Sequence, residues 1–103
     1  MKLYIAVLDV VPAHMVPVVV AHAVLNANTR FSTNPLYVDW YLNSFKKCVV
    51  KVNQKEFDKI ALLPDVFLGH ENKTNGGLPC CAVVCPRGEY PNVIKFAKLW
   101  QPN

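Results

Sequence analysis

No apolar run in this 103-residue chain is long enough to cross a bilayer, because MKLYIAVLDVVPAHMVPVVVAHAVL is broken by Asp9, Pro12, His14 and Pro17. The same interruptions leave no recognisable leader, so the expectation is a soluble, cytoplasmic protein with no membrane partner. Charge is also sparse: 17% charged residues against 52% hydrophobic ones excludes a disordered chain. Neither a CxxC nor an HxxxH pair occurs, so a zinc site has no local ligand pair to start from. Repeats, linkers and low-complexity segments are lacking too, and residues 1–103 read as a single domain.

Acids are the scarcer charge. Eleven Lys and Arg against seven Asp and Glu give +4, a mild bias toward anionic partners such as nucleotides or RNA. Cysteine is present but badly spaced for metal. On a strand, Cys81 and Cys85 face one side about 13 Å apart at roughly 3.3 Å per residue, whereas thiolates sharing a zinc lie about 2.3 Å from it. Cys80 and Cys81 point to opposite faces. The reading is therefore no metal, no cofactor and buried structural cysteines. Only Cys80, beside a loop holding His70 and Lys73, stands where a cation would activate a thiol.

Apolar periodicity supplies the elements. KLYIAVL, Lys2 to Leu8, reads as a central strand ended by Asp9 and Pro12. A helix is expected from near His14 to Asn28, with Val16, Val19, Val20, Ala23, Val24 and Ala27 at helical spacing and Pro17 in its first turn. PLYVDWYLNSF reads as a short second helix placing Leu36, Trp40 and Phe45 against the core. KKCVVKVN is a strand whose Asn53 caps the helix QKEFDKIALL, with Phe57, Ile60 and Ala61 on its buried stripe. DVFLG and CCAVVCP read as the third and fourth strands. PNVIKFAKLW reads as a closing helix with Val93, Phe96, Ala97 and Trp100 on one face. This order implies an α/β, three-layer-type sandwich around a mixed four-stranded sheet flanked by helices.

The informative segment for function is HENKTNGGLP. Asn75, Gly76 and Gly77 accept positive φ, so the chain between the third and fourth strands can turn tightly and present backbone N–H groups, with Lys73 and Thr74 as neighbouring donors. The alternatives are an anion cradle and a plain hairpin turn with solvated side chains. His14 lies at the expected mouth of the first helix, where the dipole favours negative charge. His22, inside VVVAHAVL, reads either as a core histidine bonded to a backbone carbonyl or as a ligand contact.

The element order, the AHA of Ala21–Ala23, the strand KKCVVKV, the pair Lys73-Thr74 before the glycines and the strand ending in Cys85-Pro86 resemble the type 2 peptidyl-tRNA hydrolase family. The resemblance implies a mixed-sheet α/β domain, a homodimer, and metal-independent cleavage of the ester between a peptide and the tRNA 3′ end. Departures are many. Where the family carries a functional lysine after glycine, this chain reads PAHMVP, with His14 or Met15 at the lysine. The family's helix glutamine falls at Val19 and its loop aspartate near His70. Its second threonine is replaced by Leu78 or Pro79.

A retained frame with altered catalytic positions leads to the expectation of a binding protein. It would hold a nucleotide-like small molecule or a tRNA 3′ end through His14, His70, Asn72, Lys73, Thr74, Asn75, Gly76 and Gly77. Its compactness also resembles short accessory proteins of phages, a class that includes counter-defence proteins sequestering nucleotide immune signals, and by that analogy sequestration is the expected role. If the chain is an enzyme instead, the resemblance and the residue types make His14, His70, Glu71 and Thr74 the catalytic candidates. A protein-interaction module built on exposed Tyr37, Trp40 and Tyr41 is the remaining alternative.

Overall fold

The apolar run Leu3–Leu8 forms strand β1, five of whose six residues are buried. That burial follows from its central place in the sheet. The computed structural model describes residues 1–72 and 74–102; Lys73 and Asn103 lie outside the described residues. With β2 (Lys47–Val52), β3 (Val66–His70), β4 (Pro79–Val84) and β5 (Lys98–Leu99), β1 builds one mixed sheet in the order β3-β4-β1-β2-β5. β1 and β2 are parallel, whereas β4 is antiparallel to both of its neighbours, β1 and β3. Strands β1, β2 and β3 therefore point the same way, and the loops that follow them gather at one edge.

The sheet has five strands, not the expected four, because the closing segment divides. Only Asn92–Lys95 is helical (α4), Phe96 is 76% exposed, and Lys98–Leu99 pairs with Val50 and Lys51 of β2. A four-residue helix with no side-chain cap has little to hold it. The exposed edge of β2 offers ladder hydrogen bonds instead.

Helix α1 (Val16–Phe31) follows a turn of 3₁₀-helix at Ala13–Met15 and runs one turn beyond the expected end. Val16, Val19, Ala23, Ala27 and Phe31 form its buried stripe, with Pro17 in the first turn. Gly69 of β3 lets it approach closely: a Cβ there would lie 3.1 Å from Ala23 Cβ. Helix α3 (Gln54–Ala61) begins with the expected capping box, in which Glu56 N–H donates to Asn53 Oδ1 and Asn53 N–H donates to Glu56 Oε1. Its Phe57 and Ala61 share a groove with Leu68. Leu68 and Gly69 are adjacent on β3 and so face opposite ways. Hence α1 and α3 cover opposite faces.

Helix α2 (Pro35–Asp39) is capped by Asn34 and continues as a turn of π-helix at Trp40–Ser44. Trp40 is buried as expected and its indole N–H donates to Lys46 O at 2.7 Å. Leu36 and Phe45 are exposed rather than packed in the core. Tyr37 and Trp40 are buried, which corrects their reading as a surface aromatic patch and leaves Tyr41 as its one exposed member. Cys80, Cys81 and Cys85 are free and buried, as expected of structural cysteines. No helix among the described residues is long and apolar enough to cross a membrane.

Candidate functional site

The strands decide what meets at the carboxyl edge of the sheet. The chain leaves β1 through Asp9–Pro12 into the 3₁₀ turn that carries His14, and it leaves β3 at His70 into the loop before β4. Two contacts lay that loop along the first half of α1. Glu71 Oε1 lies 2.6 Å from His22 Nδ1, and the Thr74 hydroxyl donates to Met15 Sδ at 3.7 Å.

Thr74 is 4% exposed, a buried polar residue at the core's margin. Its backbone N–H donates to Glu71 O at 3.2 Å, closing the first turn of the loop. Asn75, Gly76 and Gly77 then form a 3₁₀ turn with φ of 51°, 62° and 80°. These left-handed values are what Asn and Gly tolerate and other residues resist. At both glycines a Cβ would meet nothing within 4 Å, so their role is conformational and not close approach of the backbone. The Asn75 amide donates to Pro79 O at 3.2 Å and ties the turn to the start of β4.

His14, His70 and Asn72 are exposed, and Glu71 is half-buried. Lys73, read as the principal donor of the loop, lies outside the described residues. The geometry joins Thr74 and Glu71 to α1 through Met15 and His22. His14, in the middle of the 3₁₀ turn, and His70, the last residue of β3, are placed on the two segments that meet at this edge.

His22 is the residue that sequence reasoning misjudged. It is not a core histidine bonded to a carbonyl: its side chain is 58% exposed and its partner is a carboxylate 49 positions away. The stripe pattern held the correcting signal, since Val19, Ala23 and Ala27 already define the buried face and His22 falls outside it. Glu71 accepts from Nδ1 and so holds the orientation of the partly exposed ring.

Cys80 does not serve as the activated thiol. Burial pushes its pKa up, and a backbone N–H from Glu71 opposes that rise only in part. Burial likewise drives Cys81 to about 12, with the neighbouring Cys80 adding to it. Such thiols stay protonated near neutral pH and behave as small apolar groups.

This edge gathers two exposed histidines and a polar turn beside the start of α1. No protein-family model matches the chain, and no curated protein matches it.

Proposed function

We propose that this is a small binding protein on a peptidyl-tRNA hydrolase-like frame, holding a nucleotide or an RNA-end phosphate between the entry of α1 and the His70–Gly77 loop. The observation that carries the reading is the two-point pinning of the loop, Glu71 on His22 and Thr74 on Met15, which makes one polar surface from segments far apart in sequence. The exposed side chains of His14, His70 and Asn72 border that surface, and the net charge of +4 suits an anion. The positions at which the resembled family carries its catalytic lysine, glutamine and aspartate hold other residues here, which favours binding over hydrolysis. Sequestration of a nucleotide signal, by analogy with short accessory proteins of phages, is the biological role we assign to it. A cytoplasmic homodimer is the assembly we propose; the exposed Leu25, Tyr41, Leu42 and Phe45 provide apolar surface for a second copy.

The test is mass spectrometry of small molecules released by denaturing the natively purified protein, followed by calorimetric titration of the species found. A phosphorylated, nucleotide-like ligand whose affinity falls in His14→Ala and His70→Ala supports the proposal. A ligand-free protein that binds neither nucleoside phosphates nor an RNA 3′ end removes it.

One observation favours a second reading, an ester hydrolase with a rearranged site. The carboxylate-held His22 ring is oriented as a general base would be. Single-turnover cleavage of a peptidyl-tRNA ester, abolished in His22→Ala, would place hydrolysis first.

A further inference from the structure

We infer a second ligand site, a nucleoside monophosphate cleft at the carboxyl ends of β1 and β2, formed by Lys51, Lys98, Phe96 and Asp9. β1 and β2 are adjacent and parallel, yet the helices that follow them, α1 and α3, lie on opposite faces of the sheet. Their connections diverge and open a crevice, which in open α/β sheets is where ligands bind. A cleft of about 420 Å³ is found there, lined by Asp9, Lys51, Val52, Asn53, Glu56, Phe96 and Lys98. A smaller one of about 230 Å³ adjoins it through Asp9 and Lys51.

Two features of this cleft do not serve the fold. Lys51 and Lys98 are directly opposite each other across the β2–β5 ladder, so their side chains leave the sheet on the same face. Like charges in that position are destabilising. Among the described residues, neither lysine has a carboxylate within ion-pair distance. An anion between them removes the repulsion. Phe96 is 76% exposed beside them, a ring face open to stacking.

The acids in the lining narrow the ligand. Glu56 is occupied by the Asn53 N–H of the capping box. Asp9 is exposed at the end of β1 and is an acceptor for hydroxyl or amino hydrogens. One phosphate for the lysines, a base for Phe96 and a ribose or exocyclic amine for Asp9 describe a nucleoside monophosphate. The two carboxylates disfavour a polyphosphate.

The probes are 5′-AMP, ribose 5-phosphate and inorganic phosphate, titrated calorimetrically at low and moderate salt. We expect 5′-AMP to bind tightest, Lys98→Ala to weaken it about tenfold or more, as for a lost charge-assisted bond, and to flatten its salt dependence. Phe96→Ala should weaken 5′-AMP while leaving inorganic phosphate unchanged. In thermal melts without ligand, Lys98→Gln should raise Tm at low salt, because it relieves the facing charges, and phosphate should then stabilise the parent more than the variant. No saturable 5′-AMP binding, or binding that is the same in Lys98→Ala and Phe96→Ala as in the parent, overturns the inference. His14→Ala and His70→Ala leave this cleft intact, so loss of 5′-AMP binding in those variants instead assigns the ligand to the loop site and also overturns it.

Discussion

His22 Nδ1 and Glu71 Oε1 stand 2.6 Å apart across 49 residues of sequence, joining the middle of α1 to the first residue after β3. The pair is partly exposed, with side-chain exposures of 58% and 25%, so its worth lies in placing the loop more than in stability.

Accordingly, Glu71→Gln should cost no more than about 0.2–1 kcal/mol in urea unfolding, the range for exposed pairs. Hydrogen exchange should register the change more clearly: protection of the Thr74, Gly77 and Leu78 amides, which donate within the loop, should fall. Unchanged protection would mean that the loop is held by Thr74 and Met15 alone.

Gly69→Val tests the seat of α1. Its first added carbon would sit 3.1 Å from Ala23 Cβ and 3.6 Å from Ala23 Cα, tighter than ordinary contact at the nearer atom, and two methyls are added beyond it. We expect a loss of about 1–3 kcal/mol, as for other overpacked sites. Adding Ala23→Gly should recover part of it, and strict additivity of the two changes would contradict a direct clash.

Thiol chemistry follows from burial. Cys48 is partly exposed while Cys80, Cys81 and Cys85 are buried, so iodoacetamide at neutral pH should modify Cys48 first and the others only on unfolding. Burial raises the folded-state pKa of Cys81 to about 12 and of Cys85 to about 11 from 9.0. Between pH 9 and these values the folded chain holds protons that the unfolded chain has released. The stabilisation is complete below about pH 9 and is lost as pH rises through 11 to 12. Melts from pH 8 to 11 should show a falling Tm, and Cys81→Ala, though less stable at neutral pH, should show a shallower fall.

Asn53→Ala should remove the α3 cap and cost about 1 kcal/mol in denaturant unfolding, because Glu56 N–H loses its acceptor. Asn53→Asp, which keeps an acceptor, should recover most of that loss.

Several parts of the fold were legible because their signals are local. The stripe Val16, Val19, Ala23 and Ala27 announces α1, and Asn53 with Glu56 announces the start of α3, since both depend on spacings of three or four residues. The apolar runs Leu3–Leu8 and Cys80–Val84 declare buried central strands in the same way. The loop glycines declare positive φ, although not the open space around them. Apolar content alone did not separate buried Tyr37 from exposed Phe45. That distinction comes from the π-helical turn, which ends with Phe45 in a left-handed conformation.

What the amino-acid sequence determined by itself is therefore the identity of the longer elements and the burial of Cys80, Cys81 and Cys85, both of which follow from periodicity and hydrophobicity. Tertiary structure alone decided the rest. Lys98–Leu99 became a strand because the free edge of β2 offered hydrogen bonds that a four-residue helix does not match. His22 met Glu71, and Lys51 met Lys98, because sheet order brings together residues about 50 positions apart, and no local spacing encodes such a meeting.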